Sequence, residues 1–196
     1  MSNPRPPLLL ASGSPRRRDL LEEAGYEFQV EPPGIEELED TTVPIRELTA
    51  ENARRKAEAV ADRFPERVVI AADTLVLVGD TVLSKPADRE EARRMLASLS
   101  GTSHQVFTAV TLVRRSPQKE VCLTVSTDVH FRTLDEDEIR AYHDKIDPMD
   151  KAGAYAAQEH GRDIIERVEG SMTNVIGLPM DEVGETLRVE FGIEPG

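Results

Sequence analysis

Near its N-terminus the chain passes from an apolar run into a helix through a turn of small residues. Leu8-Leu9-Leu10 is typical of a buried strand, and Ala11-Ser12-Gly13-Ser14 follows as the turn. Ser14 suits the N-cap of a helix, and Pro15 suits its first position, where a missing N–H costs nothing. The segment therefore predicts a strand that turns directly into a helix.

This turn has the composition of an anion site. A bend at Ser12, Gly13 and Ser14 directs backbone N–H groups and hydroxyls to one point, where the helix dipole adds positive charge. Arg16-Arg17-Arg18 adds three cations, and a phosphate chain is the anion that this combination favours. The alternative is a solvated basic turn. Neither a Gly-Lys-Ser/Thr motif nor the G-x-G-x-x-G spacing is present, so the two common nucleotide-binding loops are excluded.

Length and charge narrow the class of protein. A chain of 196 residues suits a single domain, and its net charge of −13 argues against binding to nucleic acid or to anionic membranes. Cys122 is the single cysteine, which excludes an internal disulfide. With neither a membrane-spanning run nor a signal-peptide pattern, we expect a cytoplasmic protein. Residues 1–7 are predicted to be a flexible tail, and 8–196 a single two-lobed domain.

The periodicity of apolar residues predicts strands that alternate with helices. We expect strands at 8–10, 26–30, 68–78, 81–85, 104–113, 120–134 and 164–168, and helices at 15–25, 44–64, 90–99, 135–146 and 179–191. A tight turn is expected at 171–177, and the acidic run at 135–138 predicts a capping box at the start of its helix. This order predicts an α/β fold with a mixed β-sheet flanked by helices, whose ligands bind at strand ends.

Two charged residues stand out against the apolar pattern. Asp73 interrupts a strand, and a buried aspartate is costly unless it is paired, hydrogen-bonded or bound to a metal. Its alternative role is structural, as the cap of a turn. Lys56 lies at the edge of the apolar stripe of its helix, where a snorkelling lysine is the ordinary interpretation.

A two-residue turn at Gly79-Asp80 fixes the register of the hairpin that follows Asp73. That register sets Lys85 opposite Thr74 and Pro86 opposite Asp73. Asp73 and Lys85 would then point to opposite sides of the sheet. A site shared by the two therefore requires an irregular strand end.

The stretch from Asp147 to Gln158 is rich in small residues. Small residues let backbone approach a ligand closely, and the amide of Gln158 can recognise a base or a ribose. The alternative is a glycine-containing connector with a solvated glutamine. The four histidines show no ligand spacing and are interpreted as structural or exposed.

Five motifs, in order, resemble the Maf-like nucleotide pyrophosphatases. They are Ser12-Gly13-Ser14-Pro15-Arg16-Arg17, Ile35-Glu36-Glu37, Ala72-Asp73-Thr74 with Lys85-Pro86, Asp150-Lys151-Ala152-Gly153-Ala154-Tyr155, and Gly170-Ser171 through Gly177-Leu178-Pro179. The resemblance spans about residues 8 to 191. It implies an elongated α/β fold with two lobes around a central cleft, commonly a homodimer.

The resemblance also implies a reaction and a set of roles. A nucleoside triphosphate is hydrolysed between its α and β phosphates, with a divalent cation, Mg²⁺ or Mn²⁺. Asp73 accepts the proton of the attacking water, and Glu36 and Asp73 hold the metal. Ser12, Gly13, Ser14, Arg16 and Arg17 bind phosphate, together with the catalytic lysines Lys56 and Lys85.

Substrate preference within the family follows three positions. Here they are Arg17, Thr74 and Gln158, which resemble the dTTP/UTP subgroup. Canonical and modified pyrimidine triphosphates are both compatible with this pattern. The alternatives are a pyrophosphatase for 7-methyl-GTP or ITP, and a nucleotide-binding regulator of septum formation or cell division without significant hydrolysis.

Overall fold

A computed structural model describes residues 8–40 and 42–196. The predicted tail, 1–7, lies outside the described residues. By contact density the chain divides into two compact units. The first comprises Met1–Asp73, Thr108–Val125 and Gly177–Gly196, and the second comprises Thr74–Phe107 and Ser126–Ile176.

The strands form one mixed seven-stranded sheet, so the predicted α/β fold is confirmed. The strands are β1 (Leu8–Leu10), β2 (Phe28–Val30), β3 (Val68–Val78), β4 (Thr81–Leu83), β5 (Ser103–Arg115), β6 (Gln118–Phe131) and β7 (Ile165–Glu169). Their order is β2-β1-β3-β5-β6-β7, and β4 pairs with β3 outside this path. Strand β1 runs parallel to β2 and β3, whereas β4 and β7 pair antiparallel with β3 and β6.

The first unit packs helices against the parallel end of the sheet. Its helices are α1 (Pro15–Glu23), α2 (Ile45–Ala61) and α6 (Met180–Thr186), the last continued by a wider helical turn at Leu187–Phe191. Small residues of α2, Ala53, Ala57 and Ala61, are fully buried. Ala57 and Ala61 share a core with Leu9 and Val69, so α2 lies close to strands β1 and β3.

The second unit has a core of its own. Its helices are α3 (Arg89–Leu99), α4 (Glu136–His143) and α5 (Met172–Ile176). The core contains Leu96 and Leu99 from α3, Ile139 and Tyr142 from α4, and Phe131 from β6. Helix α4 begins with the capping box that the acidic run predicts, formed by reciprocal hydrogen bonds of Asp135 and Glu138.

Most predicted elements are present, with differences at their ends. The strand at 68–78 has the expected bounds, whereas the expected tight turn at 171–177 contains helix α5. At the start of that short helix the Ser171 hydroxyl accepts the backbone N–H of Asn174. The Gly-Ser sequence predicts a turn there but not the helix that follows it. Within the described ranges, none of the helices combines the length and apolarity needed to cross a bilayer.

Candidate active site

The turn between β1 and α1 is organised around the Ser12 hydroxyl. Ser12 is buried, and its Oγ accepts the backbone N–H of Ser14 at 3.2 Å and a guanidinium N–H of Arg17 at 3.3 Å. Ser14 is the N-cap residue by its backbone angles, but its side chain makes no capping hydrogen bond. The expected strand–turn–helix is present, with Ser12 supplying the internal hydrogen bond.

Gly13 is the exposed member of this turn. A Cβ atom built on Gly13 would meet no atom within 4 Å, so packing within the protein does not require a glycine there. Its backbone also lies outside the left-handed region that favours glycine. An open, side-chain-free backbone at the start of a helix is compatible with close approach of an anion.

Arg17 is held in place from two sides. Besides the Ser12 hydroxyl, its Nε donates to the carbonyl oxygen of Gly177 at 2.8 Å. Burial lowers the pKa of Arg17, the neighbouring Arg16 lowers it further, and the charges of Asp73 and Glu37 raise it. A guanidinium stays ionised in proteins, so Arg17 presents a fixed positive charge that interacts with both carboxylates.

A buried ion pair joins helix α2 to strand β3. The Lys56 Nζ lies 2.6 Å from Asp73 Oδ1, and the two side chains are only 7% and 6% exposed. Lys56 also lies 3.5 Å from the carbonyl oxygen of Ala72. The structure therefore brings together two predicted catalytic residues. It also contradicts the snorkelling interpretation of Lys56, whose ammonium group is inside the protein.

Glu37 and Asn52, to which the sequence assigns no role, complete this cluster. Glu37 Oε1 lies 2.7 Å from the Lys56 Nζ, so Glu37, and not Glu36, contacts the lysine. Asn52, one turn before Lys56 on α2, donates to Asp73 Oδ2 at 3.4 Å. The same amide accepts the backbone N–H of Leu38 at 2.7 Å and donates to its carbonyl oxygen at 3.0 Å.

The sequence contains a signal for Asn52 but none for Glu37. Asn52 is a polar residue at the i−4 position from Lys56 on a buried helix face, and such a residue needs a hydrogen-bond partner. Glu36 and Glu37 lie in an irregular segment between β2 and α2, where periodicity does not determine which side chain turns inward. Glu36 is exposed.

The remaining predicted site residues, Thr74, Lys85 and Gln158, belong to the second unit. The β3–β4 ladder has the expected register, with Val78 opposite Thr81, and it ends at the pair Val76 and Leu83. Lys85 therefore follows the strand in irregular backbone, as a shared site would require, and it is exposed.

Within the second unit, the segment before Lys85 contacts the loop that leads to Gln158. The backbone N–H of Gly153 donates to the carbonyl oxygen of Ser84 at 3.1 Å. Gly153 has φ of 70°, and a Cβ there would come within 3.3 Å of Val76, so both conformation and space require glycine. Gln158 is exposed beyond this loop.

The carboxylates of this cluster are side chains of the type that binds divalent cations. Among residues 8–40 and 42–196 no group of three or more histidine, cysteine, aspartate or glutamate side chains could hold an ion. Mg²⁺ commonly takes one or two carboxylates and completes its shell with water and substrate phosphate. Asp73 with a glutamate of the 36–37 pair fits that mode, in which substrate supplies the other ligands.

The fold is a mixed α/β sheet flanked by helices, and its first unit contains a strand–turn–helix whose open backbone is compatible with an anion, together with a buried lysine–carboxylate pair. The chain belongs to the family described as Maf-like protein, whose sequence model matches residues 7–190.

Several relatives match nearly the whole chain. It is 50% identical to a protein of Akkermansia muciniphila, over 93% of this chain and 96% of the relative. Proteins of Bdellovibrio bacteriovorus and Desulforamulus reducens are 45% and 42% identical, over 93% and 96% of this chain and 98% of each relative. All three relatives are named dTTP/UTP pyrophosphatase.

Among solved structures, the Staphylococcus aureus Ham1 protein aligns with a TM-score of 0.46 and 16% identity, over 79% of this chain and 89% of that chain. A likeness at that level bears on neither fold nor function.

Proposed function

We propose that this protein is a nucleoside triphosphate pyrophosphatase that hydrolyses dTTP and UTP to the monophosphate and pyrophosphate. The observation that carries the proposal is the buried Asp73 carboxylate, held by Lys56 and Asn52 in the same unit as the anion-binding turn. The name shared by relatives that are 42–50% identical supports the substrate class.

The hydrolysis requires a base and a set of cations. Water forms a bond to the α-phosphorus, the bond to the α–β bridging oxygen breaks, and pyrophosphate leaves with the negative charge. Asp73 accepts the proton of the water; an ionised carboxylate has about four acceptor positions, so the contacts with Lys56 and Asn52 leave room for it.

Positive charge is needed where the leaving group becomes more negative. In the first unit Arg16 and Arg17 stand at the N-terminus of α1, whose free N–H groups and dipole also favour phosphate oxygens. Arg17 is already oriented by Ser12 and Gly177, so little ordering is required when substrate binds. Lys85, in the second unit, is assigned to the same role by the family resemblance.

A divalent cation, Mg²⁺ or Mn²⁺, is part of this proposal. Asp73 and Glu36, or its neighbour Glu37, would hold it, and it would supply charge neutralisation on the phosphates. Glu37 is the better oriented of the two glutamates because it already contacts Lys56. We also infer from the family resemblance that the protein is cytoplasmic and forms a homodimer. Light scattering of the purified protein tests the dimer.

The experiment that tests the function measures pyrophosphate release from dTTP, UTP, CTP, 7-methyl-GTP and ITP, with Mg²⁺, with Mn²⁺ and with chelator. We expect metal-dependent release, fastest from dTTP and UTP. A preference for 7-methyl-GTP or ITP would retain the reaction and refute the pyrimidine assignment. No release from any nucleotide would favour the alternative, a nucleotide-binding regulator.

Specificity is assigned to Arg17, Thr74 and Gln158, and Gln158 gives the sharpest test because it is exposed. Gln158→Ala should raise KM for dTTP and UTP and reduce their advantage over GTP, since an amide that recognises the base is lost. Gln118→Ala, at the start of β6, removes another exposed glutamine and is the matched control. An unchanged preference in Gln158→Ala would make Gln158 an ordinary loop residue.

A further inference from the structure

The second unit contains a small cavity lined by basic residues between helices α3 and α4. Its lining residues are Arg89, Arg93, Arg140, His143 and Asp144, and its volume is about 180 Å³. No residue assigned to the proposed hydrolysis lines it. In a chain with a net charge of −13, three arginines around one cavity need an explanation.

Two of these arginines form no ion pair within the part of the chain that the structure describes. Arg140 pairs with Glu136 and Asp137 on its own helix, at 3.0 and 3.1 Å. Arg89 and Arg93 have neither an ion-pair partner nor a hydrogen-bond acceptor among residues 8–40 and 42–196. Asp144 is the single carboxylate in the lining. The lining residues therefore carry an excess of positive charge.

The position of Arg89 and Arg93 is unfavourable for helix α3 itself. Arg89 is the first residue of the helix, where the dipole disfavours a cation, and Arg93 follows at the i+4 spacing, where like charges repel. Of their acidic neighbours, Glu91 accepts the backbone N–H of Ala87 and Glu90 pairs with Arg94. Asp88 accepts the backbone N–H of Glu91 and also interacts with the charge of Arg93. Both arginines are exposed and the helix dipole favours neither, whereas an anion bound between them would interact favourably with both.

A buried histidine lies in the wall of the same cavity. His143, at the end of α4, is only 6% exposed, and its Nε2 donates to the carbonyl oxygen of Ala154 at 3.0 Å. Burial lowers the pKa of His143, and the charges of Arg93 and Arg89 lower it further, while the Ala154 carbonyl and Asp144 oppose this. The positive charges of Arg89 and Arg93 therefore act on the His143 ring. The pKa of His143 should rise when a bound anion neutralises those charges.

We propose that this cavity is a binding site for a small phosphate-class oxyanion, inorganic phosphate or pyrophosphate, held by Arg89 and Arg93. Guanidinium groups bind phosphate oxygens through paired charge-assisted hydrogen bonds. The cavity is smaller than the roughly 300–1,000 Å³ of sites that enclose organic ligands, which favours the free anion over a nucleotide.

The direct test is a two-dimensional NMR titration of the full-length protein with inorganic pyrophosphate and, separately, inorganic phosphate. The amides of residues 89–93 and 140–144 should shift with one saturable dissociation constant. In Arg89→Gln/Arg93→Gln the affinity at these amides should fall by about tenfold or more, because both charge-assisted contacts are lost. Arg94→Gln, on the same helix but outside the lining of the cavity, is the matched control and should bind as the wild type does.

Two further readouts separate a binding site from a structural role. Without anion, the double variant should be at least as thermostable as the wild type, because a repulsive pair is removed. With saturating pyrophosphate, the pKa of His143 measured from its ring resonances should rise in the wild type and stay fixed in the double variant.

Two results would overturn the proposal. Shifts confined to the Ser12–Arg17 turn would mean that pyrophosphate binds only at the proposed hydrolytic site. Shifts at residues 89–93 that persist in Arg89→Gln/Arg93→Gln would mean that the arginines do not hold the anion. Because binding is measured without turnover, neither result depends on whether the protein hydrolyses nucleotides.

Discussion

Lys56 in the first unit and His104 in the second are both buried basic residues, and different contacts offset the cost of their burial. In the first unit Lys56 is 6% exposed and lies between the carboxylates of Glu37 and Asp73. In the second unit His104 is 2% exposed, and its Nε2 lies 2.9 Å from the hydroxyl of Tyr155. Burial lowers the pKa of His104 to about 4, so the ring is neutral at physiological pH.

We interpret this difference as a difference in role. A neutral histidine stacked edge-on against Phe131 and Tyr155 contributes packing area and one hydrogen bond, although its Nδ1 has no hydrogen-bond partner among the described residues. A buried ammonium–carboxylate pair rarely stabilises a protein more than apolar residues of the same size would. We therefore interpret the charge retained at Lys56 and Asp73 as part of the proposed hydrolysis. The variants below test that contrast.

The largest effect is expected when Asp73 loses its charge. Asp73→Asn should lower kcat for dTTP by about 10²–10⁴-fold, the usual contribution of a positioned base. The fold should persist, because the amide keeps a similar shape beside Lys56. Steady-state pyrophosphate release and circular dichroism measure the two properties. Asp62→Asn, an exposed carboxylate at the end of α2, should retain normal turnover.

Near-normal turnover in Asp73→Asn would remove Asp73 from the mechanism. It would also make the buried pair a structural feature, so the contrast with His104 would fail.

Removing the cation should cost stability as well as activity. Lys56→Met leaves Asp73 buried without its partner, and loss of one member of a buried pair costs about 3 kcal/mol or more. Urea unfolding measures the loss. The double variant Lys56→Met/Asp73→Asn should regain most of that stability and remain inactive. If the double variant were as unstable as Lys56→Met, the cost would come from packing and not from charge.

Much of the fold can be predicted from the sequence, because apolar residues repeat with one spacing in strands and with another in helices. The strand at 68–78, the strand–turn–helix at the N-terminus and the capping box of α4 were all predicted from local patterns. The ends of elements were less accessible. Helix α5 and the wider turn at Leu187–Phe191 depend on contacts that a local pattern does not contain.

The candidate site can be predicted only in part, because some of its contacts join residues that are far apart in the sequence. Asp73 stands out in the sequence because it is a charged residue within an apolar strand. The burial of Lys56 is not predictable from its own helix, because it depends on the carboxylates of Asp73 and Glu37, 17 and 19 positions away in the sequence. The choice between Glu36 and Glu37 was not accessible, because the segment that carries them is irregular. The roles carried over from the family resemblance stay predictions until variants are measured.

A smaller effect is expected from the neutral histidine. The unfolded chain binds a proton at His104 near pH 6.5 and the folded chain only near pH 4, so stability is lost as pH falls through that window. Between pH 7 and 5 the loss is about 2 kcal/mol. His104→Gln should flatten this part of the stability–pH curve, measured by urea unfolding. A slope that His104→Gln leaves unchanged would mean that other groups produce it.

The smallest expected effect concerns Asn52, which links the backbone of Leu38 to Asp73. Asn52→Leu should lower kcat by about tenfold with little change in KM, since it loosens the carboxylate without touching substrate. Asn52→Asp should be more damaging, because a second carboxylate replaces the amide that donates to Asp73 Oδ2 and to the Leu38 carbonyl oxygen.

Thr49→Val is the matched control for Asn52, since it removes a buried hydrogen bond from the same helix without contact to the ion pair. It should leave kcat unchanged. If Asn52→Leu and Thr49→Val lowered stability alike and left kcat intact, Asn52 would belong with His104, as a buried polar group whose role is structural. A lower kcat confined to the Asn52 variants would place Asn52 with Lys56, among the residues of the proposed hydrolytic site.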